Sequence, residues 1–127
     1  MSQAIPERGA SETCTFPMLV LGFWNITLTI PNFPRLELFK VLNFETEDCE
    51  TGALTGFLVE LEEPPRNERV HFEPGADITE AGIVTFTINV AGQHFHFNGT
   101  ANAAGNEISA GTITSGDHDG TWHATAQ

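Results

Sequence analysis

The chain has 127 residues, 40% of them hydrophobic, and a formal net charge of −12 from 17 acidic and 5 basic residues. This size and composition indicate one globular domain with its own core, and they exclude a disordered chain or two full domains. The basic residues are scattered along the sequence, so we expect neither nucleic acid nor an anionic membrane surface as a partner.

The N-terminal segment differs in composition from the rest of the chain. Residues 1–15 are mostly polar and show no hydrophobic periodicity. We expect them to form a flexible arm, either disordered or laid over the domain as a lid, in front of a β-barrel domain that spans residues 16–127.

The targeting signals and the cysteines indicate the cellular compartment of the protein. The apolar run at residues 16–24 follows acidic residues and is too short to span a bilayer, so the sequence predicts a cytoplasmic protein without a signal peptide. Cys14 and Cys49 either remain free thiols, which that location favours, or pair as a disulfide.

The first predicted strand covers residues 22–30, where apolar and polar residues alternate with the period-two pattern of a half-buried strand. Its β-branched and aromatic residues agree with this prediction. One face carries Trp24, Ile26, Leu28 and Ile30, and the other carries Asn25, Thr27 and Thr29.

A second strand is predicted at residues 35–44, with Lys40 on the same face as Leu36, Leu38, Leu42 and Phe44. An acidic loop at residues 45–50 follows it. A third strand covers residues 53–61, and a short fourth strand covers residues 68–73 after Pro64 and Pro65.

Residues 83–90 and 93–100 predict a hairpin around the two-residue turn Ala91-Gly92. Such a turn fixes the register, and the resulting ladder sets apolar against apolar and polar against polar except beside the turn. The predicted pairs are Val90 with Gln93, Asn89 with His94, Ile88 with Phe95, Thr87 with His96, and Phe86 with Phe97.

Two further strands are predicted at residues 107–114 and 121–126, and no segment has a convincing helical period. Short strands joined mostly by tight turns indicate an all-β fold. We therefore predict a single antiparallel up-and-down β-barrel of about eight strands, because closure removes exposed strand edges.

The histidines do not predict a metal site. The hairpin register places His94 and His96 on the outer face, and no further His or Cys is in step to complete a zinc site. Asp117, His118, Asp119 and His123 offer carboxylates and imidazoles for an acid–base pair or a metal, but these residues are also typical of an exposed turn, which we favour. We therefore expect no metal and no cofactor, and no catalytic residue is assigned.

Residue volume gives the main functional prediction. Bulky residues crowd the early and middle strands, whereas Gly99, Ala110, Gly111, Ala124 and Ala126 lie on the closing strands. The small residues either fill a tapering barrel or leave an apolar cavity for a small hydrophobic molecule. The predicted lining of that cavity is Trp24, Ile26, Leu28, Phe57, Phe86, Ile88, Phe95, Phe97 and Trp122.

Three short segments resemble calycins, the family of lipocalin and avidin barrels. Gly22-Phe23-Trp24 resembles the Gly-x-Trp motif of their first strand, and Gly52-Ala53-Leu54-Thr55-Gly56 is similar to the turn and strand that follow in avidins. Gly120-Thr121-Trp122 suits a closing barrel strand. The resemblance implies a barrel that encloses an apolar ligand.

The sequence also departs from the calycin pattern. Ile26 stands where avidins have an asparagine, and no arginine follows Arg69 to pair with the tryptophan as in lipocalins. The resemblance to avidins therefore does not imply that this chain binds biotin.

A second resemblance concerns small barrels related to allene oxide cyclase, including spirotetronate cyclases. The segment 75–82 is similar to the turn before their mid-chain strands. This resemblance implies an alternative function, an intracellular cyclase of the Diels–Alderase type that folds a polyene in the cavity. A packed barrel with a structural or interaction role is the third alternative, and the sequence leaves a homo-oligomer open.

Overall fold

The computed structural model describes the chain in several stretches. The predicted arm, Cys14, Cys49 and Asp117 lie outside the described residues, as do Arg35 and Leu36 of the predicted second strand. In the described part, no helix is long and apolar enough to cross a membrane. The described residues are 19–31, 33, 37–48, 50–60, 68–90, 92–116 and 118–127.

The described residues form an all-β fold, which confirms the predicted fold class. They contain nine strands, one more than the eight predicted, because the two residues Asp77–Ile78 add a short strand. The strands are β1 (Gly22–Thr29), β2 (Phe39–Glu47), β3 (Leu54–Glu60), β4 (Glu68–His71), β5 (Asp77–Ile78), β6 (Ile83–Val90), β7 (Gln93–Ala101), β8 (Glu107–Thr114) and β9 (Gly120–Ala126).

All strands pair antiparallel in one sheet of order β4-β3-β2-β1-β9-β8-β7-β6-β5. The sheet is up-and-down, with β1 and β9 paired in its middle and the consecutive strands β4 and β5 at its two edges. It curls strongly into a half-barrel, and the curl brings the edges together. Leu54 N donates to Ala76 O at 2.9 Å, and Glu73 N donates to Thr87 O at 2.8 Å.

The β6–β7 hairpin has the predicted register at every pair, from Val90 opposite Gln93 to Phe86 opposite Phe97, and it continues to Ile83 opposite Thr100. Phe95 and Phe97 are buried, while His94 and His96 face solvent. The turn chemistry and the alternation of the two strands were therefore sufficient to predict both faces of this hairpin.

The predicted face of Lys40 on β2 is wrong. The register with β3 shifts between Phe39 and Val41, which makes Lys40 the extra residue of a β-bulge. The bulge puts Phe39 in the core and turns Lys40 to solvent. The strand also runs on to Glu47, which is buried and accepts a hydrogen bond from Leu19 N at 2.7 Å, so the acidic loop begins only after it.

Strand β8 also carries a bulge, between Ile108 and Gly111, relative to β9. Ala110 adopts a φ of 54° there, a left-handed conformation that is unfavourable for a residue with a Cβ. Residues three positions apart lie on opposite faces of a regular strand, but the extra residue of the bulge lets Ile108 and Gly111 both point inward. Ala110 is exposed, so it does not contribute to the interior.

Candidate functional site

The predicted lining residues, except Phe57, are buried on the inner face of the sheet. Aromatic rings connect the two arms of the curled sheet across this interior. Phe72 stacks on Phe86 with ring centroids 4.3 Å apart, and Phe86 stacks on Phe97 at 4.6 Å. Trp122 contacts Phe86 and Phe97 edge-on, each at 5.6 Å.

Trp122 occupies the space beside two of the small residues on the closing strands. A Cβ on Gly99 would lie 2.9 Å from Trp122 Cζ2, and a Cβ on Gly111 would lie 2.7 Å from both Cδ1 and Nε1 of the same indole. The indole Nε1 of Trp122 donates to the carbonyl oxygens of Asn98 and Thr112, each at 3.2 Å. At these positions the small residues accommodate a neighbouring side chain and do not create space for a ligand.

Phe57 is the one predicted lining residue that lies on the wrong face. It stands opposite Asn43 on β2 and His71 on β4, whereas its neighbour Leu58 stands opposite the core residue Leu42. Directly paired residues share a face of the sheet. Phe57 is therefore buried on the outer face, and its predicted place in the interior is wrong.

The outer face of β1–β4 contains a groove that the sequence did not predict. Its volume is about 480 Å³, and it is open to solvent. We call it the outer groove; it is lined by Phe23, Val41, Val59, Arg69 and Gln127. Phe23 is 51% exposed, so a large aromatic side chain is available to a ligand there.

Strand pairing builds the outer groove. Asn25 lies opposite Val41, Val41 opposite Val59, and Val59 opposite Arg69, which forms one row across four strands. The guanidinium carbon of Arg69 lies 4.5 Å from the centre of the Phe57 ring. The groove therefore combines an apolar floor with one cation fixed over an aromatic ring.

The C-terminal residue of this sequence lies on the other wall of the outer groove. Gln127 N donates to Phe23 O at 3.1 Å, and its side-chain amide donates to Asn25 Oδ1 at 3.1 Å. These contacts hold the amide group beside the apolar floor, opposite the wall that carries Arg69.

Elsewhere the outer face carries mainly polar side chains. His94 Nδ1 lies 2.9 Å from Glu73 Oε2, and His96 Nδ1 lies 2.9 Å from Thr87 Oγ1. A second groove, of about 440 Å³, is lined by Thr29, Pro31, Asp119, Gly120 and Thr121. Within the described residues, no group of three or more His, Cys, Asp and Glu side chains could hold a metal ion.

The sequence does contain a signal for the outer groove. Phe57, Leu58 and Val59 are three consecutive apolar residues, and the neighbouring strand has the two consecutive apolar residues Val41 and Leu42. Continuous apolar runs are typical of strands that are covered on both faces. The runs indicate where the solvent face becomes apolar, although they do not reveal the part played by Arg69.

No protein-family model, curated protein or solved structure matches this chain. The resemblance to calycins and to cyclase barrels is therefore limited to the short motifs and to a curled antiparallel sheet that is compatible with a barrel.

Proposed function

We propose that the protein binds a small hydrophobic molecule and that the binding site is the outer groove. The observation that supports this most is the apolar solvent face of β1–β3, where Phe23, Val41 and Val59 surround a groove of about 480 Å³. Ligand pockets commonly have volumes of about 300–1,000 Å³ and mostly apolar walls with a few polar groups. The outer groove has these properties.

The sequence predicts a ligand inside the barrel, but the packing around Trp122 favours the outer groove as the binding site. The second groove is less suited to an apolar ligand, because Thr29, Thr121 and Asp119 contribute polar groups to its walls. Cyclisation of a polyene needs a site that holds the substrate in its folded reactive shape. Since the outer groove is open to solvent, binding is the activity that we propose.

Binding of octan-1-ol, followed by ¹H–¹⁵N NMR titration, tests the proposal. We expect Phe23→Ser to weaken octan-1-ol binding about tenfold, because an aromatic contact with the chain is lost. Phe23 is half exposed, so we expect the free energy of unfolding to change by less than about 1 kcal/mol. Thr29→Ala, in the second groove, is the matched control and should leave octan-1-ol affinity unchanged.

Three results would contradict the proposal. One is the absence of any saturable octan-1-ol binding, and another is equal weakening by Phe23→Ser and Thr29→Ala. The third is a wild-type protein that self-associates in light scattering and becomes monomeric in Phe23→Ser. That result would make the groove a contact between copies of the chain.

A further inference from the structure

The outer groove contains a cation, and this indicates the chemical class of its ligand. We infer that the ligand is an amphipathic anion, an apolar chain with a carboxylate head group that binds Arg69. This inference rests on the proposed function and adds the charge and orientation of the ligand.

Arg69 is placed to receive an anion. Arg69 is exposed to solvent, and its guanidinium carbon lies 4.5 Å from the centre of the Phe57 ring. The contact with the ring does not use all five N–H groups of the guanidinium, and those that point away from the ring can bind a carboxylate through two hydrogen bonds. Among the side chains that the structure describes, no carboxylate lies within ion-pair distance of Arg69.

The position of Arg69 in the outer groove indicates how the ligand is oriented. Arg69 borders a groove whose floor is formed by Val41 and Val59. An alkyl chain on that floor would bring a terminal carboxylate to the edge of the guanidinium.

The net charge of −12 does not prevent such binding. Charges separated by more than about 8 Å are largely screened at physiological ionic strength, whereas a carboxylate in direct contact with Arg69 is screened much less. The contact at the rim of the groove therefore determines the preference for an anion, and distant acidic residues reduce it only modestly.

Octanoate and octan-1-ol form a matched pair of probes, with the same chain length and different head groups. We expect octanoate to bind the wild-type protein about tenfold more tightly than octan-1-ol, as for a charge-assisted hydrogen-bonded pair. In Arg69→Gln this preference should disappear, while octan-1-ol affinity stays within about twofold of wild type. Arg69→Lys, which keeps the charge and loses the planar fork, should give an intermediate preference.

The outcomes separate the inference from the proposed function. If octan-1-ol binds in a Phe23-dependent manner and octanoate binds no more tightly, the inference is wrong and the proposed function stands. If Arg69→Gln weakens both probes equally, Arg69 only covers the Phe57 ring, and the inference is again wrong. If neither probe binds, the proposed function is wrong as well.

Discussion

Trp122→Ala should lower the free energy of unfolding by about 3–5 kcal/mol, the range for removing a large buried aromatic side chain. Trp122 is 3% exposed and fills the space beside Gly99 and Gly111. Its loss removes contacts with Phe86 and Phe97 and leaves the carbonyl oxygens of Asn98 and Thr112 without the indole N–H. Urea denaturation of both proteins measures the change.

The same variant offers a chemical rescue. The cavity should accept free indole, which stabilises the folded state by about 1.4 kcal/mol when its concentration is about ten times its Kd. We expect this gain to be larger in Trp122→Ala than in the wild-type protein. If Trp122→Ala does not fold, Trp122→Phe replaces it in this test, and we expect it to lose less stability than Trp122→Ala. A loss below about 1 kcal/mol in Trp122→Ala would contradict the packed interior.

Ala124→Leu should destabilise the protein by about 1–3 kcal/mol through overpacking. Ala124 is fully buried on the inner face, where Ile26 of β1 and Ile108 of β8 lie directly opposite it. A larger side chain at this position has to displace one of these neighbours. The free energy of unfolding, again from urea denaturation, gives the result.

Thr125→Leu is the matched control, because the neighbouring residue on β9 is exposed on the outer face. Its free energy of unfolding should remain within about 0.5 kcal/mol of wild type. If Ala124→Leu were equally neutral, unfilled space would have to exist beside Ala124. The interior would then be the better ligand site, as the sequence predicts.

The parts of the fold that the sequence predicted well are those with local determinants. The β6–β7 hairpin is the clearest example, since a two-residue turn and two alternating strands leave one register that buries Phe86, Phe95 and Phe97 together. The first strand was predicted for the same reason. Its alternation places Trp24, Ile26 and Leu28 on the buried face.

The errors occur where alternation fails. A bulge changes which residues share a face, and neither the bulge at Lys40 nor that at Ala110 has a signature in the residue pattern. In the run Phe57-Leu58-Val59 all three residues are apolar, so the pattern cannot show which of them face the core. Pairing with Leu42 determines that Leu58 is internal and that Phe57 is external.

The predicted cavity depended on long-range packing that composition does not reveal. The sequence shows small residues at Gly99 and Gly111, but the structure is needed to show that Trp122 covers both. The outer groove is equally non-local, because its lining residues come from four strands and the last residue of the sequence. Residue types alone predicted an apolar ligand, and the register determined the face on which we propose it binds.

The most direct test of the proposed site is an intermolecular NOE experiment on protein with labelled valine and isoleucine methyl groups in the presence of octanoate. Val41 and Val59 border the outer groove, whereas Ile88 and Ile113 are buried in the interior. We predict NOEs from the octanoate chain to the methyl groups of Val41 and Val59. NOEs to Ile88 and Ile113, without any to the two valines, would contradict the account by placing the ligand inside the half-barrel.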